Sequence, residues 1–240
     1  MIPVTVGGAA VTRQFADKYS VSACSHLLYQ LQPQVEKELG LNIALATDDM
    51  GTVALSPDGN HVRIKGGEVS GVSEEDLAEY RAFHKRTTRF SDLLKTYFNR
   101  TAPRLSQDAS RADMLNLAQF GFDIRRMGRT EMQEFLRLIG MNIRDELVER
   151  FESGVLRGAL ALDAVMGTHL GPRSPNTILT YLYRLAGRQG AISQPVGGMG
   201  AVSDALAKSA RDNGAVIRIG MPVKQVAITD GVATGVVTHS

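Results

Sequence analysis

At 240 residues, 43% of them hydrophobic, 22% charged and 6% aromatic, the chain can bury roughly 70% of the surface its extended form exposes, as one large domain or two small ones. Lys plus Arg number 27 against 25 Asp plus Glu, and a net charge of +2 gives little global attraction to nucleic acid or an anionic surface. No apolar run approaches the ~18 residues of a membrane span, no secretory signal opens the sequence, and the single Cys24 excludes an intrachain disulfide or a thiolate metal cluster, so the expectation is a soluble intracellular protein.

Pro3 to Gly8 reads as a very short strand entering a glycine turn, with no element before it. Pro33 and Gly40 bracket a short helix through Val35 and Leu39. From 41 to 71 the chain is strand-like and interrupted; Pro57-Asp58-Gly59-Asn60 marks a hairpin turn before the alternating strand His61 to Lys65, expected at a surface. Ser73 and Asp76 form a capping box ahead of Leu77, Tyr80, Phe83, Thr87, Phe90, Leu94 and Tyr97, whose spacings of three and four predict the longest helix. Arg81, Lys85, Arg86, Arg89 and Lys95 form its solvated basic side, and Pro103 ends the segment.

A second helix spans about Met114 to Phe120. Thr130 with Gln133 predicts a capped third, carrying Met132, Phe135, Leu136 and Ile139, and Asn142 with Asp145 a capped fourth through Leu147, Val148 and Phe151. Val155 to Met166 is rich in Leu and Ala; two glycines and two prolines then bracket His169 and Arg173 in a stiff loop. Asn176 caps a helix through Ile178, Leu182 and Leu185 that ends at Gly187. After Pro195 to Gly200 comes a helix through Val202, Leu206 and Ala210, followed by three strand candidates at 215–219, 223–228 and 232–237.

Taken alone, Gly7-Gly8 is an ordinary turn, Arg13 a solvated side chain and Gly197-Gly198 a tight strand-to-helix junction. Cys24 and His26 alternate on an extended segment and so point to opposite faces, which argues against a nucleophile and base pair and leaves Cys24 as a small core filler. The five histidines have no recognisable metal-ligand spacing.

Gly7 to Arg13, Ser25-His26-Leu27-Leu28, Leu156 to Ala161, Gly167 to Pro172, Pro195 to Gly200 and Val223-x-x-Val226 together resemble phytoene dehydrogenase-like flavoproteins, and the resemblance covers essentially the whole chain. It implies an α/β fold: part of a Rossmann-like FAD-binding oxidoreductase with a largely helical substrate-domain segment, in a protein about twice this length. Residues 1–40 would be the remainder of the FAD-binding domain, 41–190 the substrate-binding helical region, and 191–240 the return to the FAD-binding domain. The family's glycine fingerprint and acidic ribose partner do not occur in this sequence.

By the same resemblance, Gly7 and Gly8 would let backbone approach the FAD phosphate and ribityl portion, Arg13 would pair with a phosphate or order that loop, and Ser25 and His26 would approach the flavin. Gly197 and Gly198 would contact the cofactor or simply shape the junction, and the Val223 backbone would meet the adenine. His169 and Arg173 would line a substrate channel or stabilise its loop. The implied chemistry is hydride transfer between flavin and an unidentified apolar substrate, with an unidentified electron acceptor. A second expectation is a noncatalytic interaction fragment that joins a protein partner or its own copies and does not hold FAD alone. A bacterial source would place the chain in the cytoplasm; for a eukaryotic one the resemblance implies mitochondria.

Overall fold

The computed structural model describes residues 5–106, 109–187 and 191–239. In chain order the elements are β1 (Thr12–Ala16), β2 (Tyr19–Ser22), α1 (Pro33–Glu38), β3 (Leu45–Thr47), β4 (Thr52–Ala54), β5 (Val62–Lys65), β6 (Glu68–Ser70), α2 (Glu74–Phe98) and α3 (Arg111–Arg126). They continue as α4 (Arg129–Ile139), α5 (Ile143–Arg150), α6 (Gly154–Val165), α7 (Thr177–Ala186), β7 (Gln194–Pro195), α8 (Met199–Asp212), β8 (Val223–Thr229) and β9 (Val232–Thr238). The chain divides into two compact units, one of Met1–Asp48 with Ser193–Ser240 and one of Asp49–Ile192; the sequence-based division lies near 40 and 190.

The Asp49–Ile192 unit is organised by α2. Tyr80, Phe83, Thr87, Phe90 and Leu94 recur on one face and are all buried. Phe83 meets Phe151 edge-on at 5.7 Å, and Phe90 meets Phe135 at 5.3 Å. Each such side chain contributes roughly 1.5–3 kcal/mol by leaving water. Ser91 lets α7 come close: its hydroxyl donates to the Leu182 carbonyl at 2.9 Å, with both residues buried. The antiparallel sheet β4-β5-β6 packs on the same core through Val62 and Val69, so the hairpin expected at a surface is exposed on one face and lies on the core with the other, where Val62 is buried and Ala54 and Ile64 are half-buried.

Two buried carboxylates tie the helices together. Asp76 has its backbone N–H on Ser73 Oγ at 3.1 Å, as a cap requires, but its carboxylate does not return to Ser73. It accepts from the N–H groups of Glu152 and Ser153 at 2.9 and 2.8 Å, linking the start of α2 to the start of α6. Glu146 of α5 has no solvent exposure and meets three guanidiniums: Arg86 of α2 at 3.4 Å, Arg137 of α4 at 2.9 Å, and Arg150 one turn along its own helix. Glu79 and Glu134 pair with Arg150 from outside at 2.9 and 3.3 Å, and Glu134 also meets Arg86 at 3.9 Å and Arg137 at 3.0 Å, so the three cations share two carboxylates, Glu146 and Glu134. Arg86 is therefore part-buried and not on the solvated side where the sequence pattern puts it; burial, with the like charge of Arg150, pulls its pKa down.

Three helix starts depart from expectation. The predicted second helix is longer at both ends, Arg111–Arg126, with Ser110 and Asp113 forming a full capping box. α4 begins one residue before Thr130, with Gly128 at φ +87° as its N-cap, so no threonine cap forms. Asn176 stands before α7 in the left-handed region at φ +62° and makes no side-chain cap; the Asn142 cap on Asp145 N–H is present at 2.9 Å.

The other unit has a much smaller core, Leu28, Met199 and Val202, joined by Ala10, Leu31, Ile43 and Leu45. β1 pairs with β2, β3 with β7, and β8 with β9, all antiparallel. Residues 215–219, exposed except for half-buried Ile217, have no assigned strand pairing among the described residues, so their apolar character does not there become a strand. Thr5 to Gly8 is turn; Pro3 and Val4 of the predicted first strand lie outside the described residues.

Glu146→Ala removes the fully buried one of the two carboxylates that all three guanidiniums share, leaving Glu134 as the other, and should cost about 1–3 kcal/mol in urea unfolding followed by circular dichroism. A loss below about 1 kcal/mol would show that the cluster is solvated and unimportant.

Candidate functional site

In the smaller unit, the predicted residues gather in part around the first turn of α8. This helix starts at Gly198, which has no side chain with which to cap it. The missing cap comes from the β1-β2 hairpin: Thr12 Oγ1 accepts the Gly200 N–H at 2.9 Å and donates to the Gly197 carbonyl at 2.8 Å, while Ser22 Oγ accepts the Met199 N–H at 3.1 Å. Those N–H groups would otherwise offer themselves to an anion. Packing here demands glycine, since a Cβ on Gly198, itself at φ +74°, would stand 2.7 Å from Thr12 Oγ1 and 2.9 Å from Ser22 Oγ.

Gly7 and Gly8 differ in the same way. A Cβ on Gly7 would collide with Ser203 of α8 and lie 2.6 Å from the Ala10 carbonyl, which Ser203 Oγ also reaches at 2.6 Å. Gly8, at φ +55°, has open space where its Cβ would be. Arg13 is exposed on β1, next to Thr12. Ser25 is half-buried with its N–H on the Ala9 carbonyl at 3.0 Å, and exposed His26 shares a 3.0 Å hydrogen bond with the Tyr29 hydroxyl. Val223 opens β8 opposite Thr238, in the separate β8-β9 hairpin. Cys24 is exposed and free, not a core filler, because it follows β2 where no layer covers it. For a dinucleotide, Gly8 and Arg13 present open, cation-bearing backbone, whereas the space beside Gly7 and Gly198 is filled by the chain's own hydroxyls.

The Asp49–Ile192 unit holds a cavity of about 260 Å³ between the sheet and α2, α6 and α7. Met50, Ile64, Leu160, Leu185 and Ile192 supply apolar wall; Asp49, Tyr80, His84, Asp163, Tyr181 and Arg184 supply polar groups. Tyr80 stacks against His84 one turn on, ring centroids 5.9 Å apart, and donates its hydroxyl to the Gly66 carbonyl at 2.7 Å. Asp163 meets Arg184 at 3.0 Å. Burial raises the Asp163 carboxyl against the pull of Arg184, raises both tyrosine hydroxyls and lowers the His84 imidazole. The tyrosines therefore remain protonated and His84 is neutral at pH 7, which gives a chamber of mixed polar and apolar lining a few fixed, uncharged hydrogen-bonding groups beside one ion pair.

Of the polar lining, Tyr80 belongs to the core stripe that its spacing predicts, whereas His84, Asp163, Tyr181 and Arg184 stand in no motif of the sequence. The available signal was polar residues one turn apart on otherwise apolar faces, as at Tyr80 and His84. His169 and Arg173 do not line this cavity; both are exposed in the loop before α7. No helix among the described residues is long and apolar enough to cross a membrane.

Comparison with known proteins adds the family. The family described as flavin containing amine oxidoreductase matches residues 36–240. Pyridine nucleotide-disulfide oxidoreductase domain-containing protein 2 of Mus musculus is 31% identical over 261 aligned residues, covering 96% of this chain and 44% of the relative. The Rattus norvegicus protein of the same name is 30% identical, covering 97% and 44%, so the chain spans less than half the length of these curated relatives. A solved triple mutant of putrescine oxidase superposes with a TM-score of 0.54 at 15% identity, over 99% of this chain and 48% of that one, a likeness of fold alone.

Thr12→Val should loosen the start of α8 by about 0.5–2 kcal/mol, read as faster amide exchange at Met199 and Gly200; unchanged exchange would contradict the shared cap. The His84 imidazole should titrate below its ordinary 6.5 by NMR, because burial disfavours the cation. Its contribution to stability is then full above 6.5 and lost as pH falls from there through the lower folded value. A titration at or above 6.5 would mean that the ring is solvated or paired with an anion.

Proposed function

Since the chain belongs to the flavin-containing amine oxidoreductase family, we propose that it forms part of an FAD-dependent oxidoreductase, the Asp49–Ile192 unit receiving substrate and the other unit helping to hold FAD. The observation that carries this reading is the family match, which runs through 205 of the 240 residues (240 minus 35) and through sequence of both compact units. When bound, FAD supplies the redox step by accepting or donating a hydride.

The chain's own residues position the reactants. Gly8 leaves backbone open to the cofactor, Arg13 offers a guanidinium for a phosphate, Ser25 and His26 border the same loop, and Val223 offers main-chain groups to the adenine. Gly7, Gly197 and Gly198 act through the packed turn that sets this backbone in place. In the cavity, Tyr80, Tyr181 and His84 would orient a polar group of the substrate, with Met50, Ile64, Leu160, Leu185 and Ile192 against its hydrocarbon part. Within the family we read the chain as phytoene dehydrogenase-like, acting on a carbon–carbon bond of a fairly apolar molecule. The runs Gly7 to Arg13, Leu156 to Ala161 and Pro195 to Gly200 support that narrower reading.

A second reading, protein interaction, has a specific observation in its favour. Val223, Ile228, Val232 and Val236 of the β8-β9 hairpin are each more than half exposed, more apolar strand surface than an isolated soluble unit ordinarily leaves uncovered.

The cofactor reading is tested by titrating the 240-residue chain with FAD and following flavin fluorescence. It predicts saturable one-to-one binding that is weak enough to be lost on dialysis, since no glycine fingerprint for the pyrophosphate occurs in this sequence. Arg13→Gln should weaken it about tenfold, roughly the loss of one charge-assisted contact. A signal that never saturates, or an Arg13→Gln titration identical to that of the unaltered chain, would overturn the assignment.

A further inference from the structure

The Asp49–Ile192 unit carries a second concavity that shares no residue with the cavity above, a groove of about 560 Å³ between α5, α6 and the turn at 171–173. That volume lies within the ~300–1,000 Å³ of small-molecule sites. Its floor is apolar, with Leu147, Val148 and Ala161, and α6 presents bare backbone there at Gly158. Nothing stands within 4 Å of where a Gly158 Cβ would be, so the trough stays open along the helix.

Three guanidiniums line this apolar floor: Arg144, Arg157 and Arg173. One carboxylate, Asp145, answers them, paired with Arg144 at 3.1 Å and felt by Arg173. An excess of two positive charges therefore stands over an apolar trough. The Arg157 guanidinium lies back along α6, its Nη2 3.8 Å from where a Gly154 Cβ would be. The turn that carries Arg173 is held before any ligand arrives. The Arg144 N–H donates to the Pro172 carbonyl at 3.1 Å, the Ser174 N–H to the Gly171 carbonyl at 2.9 Å, and the Gly171 N–H to Ser174 Oγ at 3.2 Å. Prior ordering lowers the entropic cost of binding.

We propose that this groove binds a free long-chain carboxylate, with the hydrocarbon tail along the bare face of α6 and the carboxylate among the three arginines. Planar guanidiniums match a carboxylate in charge and geometry, and the trough without side chains suits an unbranched tail. An aliphatic cation would find the same floor and the wrong rim. The site is independent of the flavin reading and stands or falls without it.

Isothermal titration of the 240-residue chain with laurate, kept below its micelle concentration, tests the proposal. Saturable one-to-one binding is expected, rising roughly fourfold for each methylene added from octanoate upward, as burial of a tail requires. Arg157→Gln and Arg173→Gln should each weaken it about tenfold. Gly158→Leu, at an exposed helical position with room for the side chain, should abolish it while the far-ultraviolet circular dichroism is unchanged. Dodecyltrimethylammonium, with the same tail and the opposite charge, should not bind. Equal binding of both amphiphiles, indifference to the two arginine substitutions, or no binding of laurate would each overturn the proposal. Binding to phosphatidylglycerol vesicles without binding to monomeric laurate would also overturn it, by assigning the arginines to a membrane surface.

Discussion

A carboxylate with no access to water must be held by cations, and Glu146 is such a group. Its three guanidiniums come from α2, α4 and α5, so the positions of three helices are fixed relative to one charge. Coulomb attraction at these distances is strengthened where water is excluded, but it is offset by the cost of taking Glu146 and most of Arg86 and Arg150 out of water while Arg137 stays 40% exposed, and the net gain from such clusters is small. What the cluster supplies is uniqueness: a helix shifted by one turn would leave at least one buried charge without its partner. Asp76 works similarly through hydrogen bonds, pinning the start of α6 to the start of α2. The cavity walls come from α2, α6 and α7, so the placement of Tyr80, His84, Asp163 and Arg184 follows from contacts well outside the cavity.

The smaller unit achieves order with little buried apolar surface, and its specificity lies in hydroxyls. Thr12, Ser22 and Ser203 join the β1-β2 hairpin and its leading turn to α8, each through a hydrogen bond that a side chain at Gly198 or Gly7 would obstruct. The glycines that most resemble a phosphate cradle thus divide into two groups. Gly7 and Gly198 are needed because the chain packs on itself; Gly8 is where backbone remains open.

Much of the larger unit was legible in the sequence because its signals are local. The stripe from Tyr80 to Leu94 repeats at helical spacing and is buried as that spacing requires, and Asn142 caps α5 as its type and position suggest. Thr130 misled because Gly128, free to adopt φ +87°, starts the helix first. Residues 215–219 have the apolar character of a strand, but a strand exists only when another pairs with it. Arg86, read from its charge as part of the solvated side, stands three residues after Phe83 and four before Phe90 at the edge of the aromatic stripe, its guanidinium 6.0 Å from the Phe83 ring; the distant Glu146 that it meets has no local signature. The cavity illustrates the same limit, since Tyr80 and Arg184 are 104 positions apart (184 minus 80) and no spacing rule joins them. The family resemblance supplied FAD and the oxidoreductase class, but none of the cavity's polar residues.

On the reading proposed above, the loop from Gly8 to His26 belongs to a flavin nucleotide site and the groove on α6 does not. An amide chemical-shift map of the isotopically labelled chain, recorded before and after addition of FAD, separates the two. The Gly8, Arg13 and His26 amides should move, and the Val223 amide as well, while those of Arg157 and Gly158 stay in place. A map in which residues 8–26 are silent, or in which only the arginine-lined groove responds, would contradict that reading.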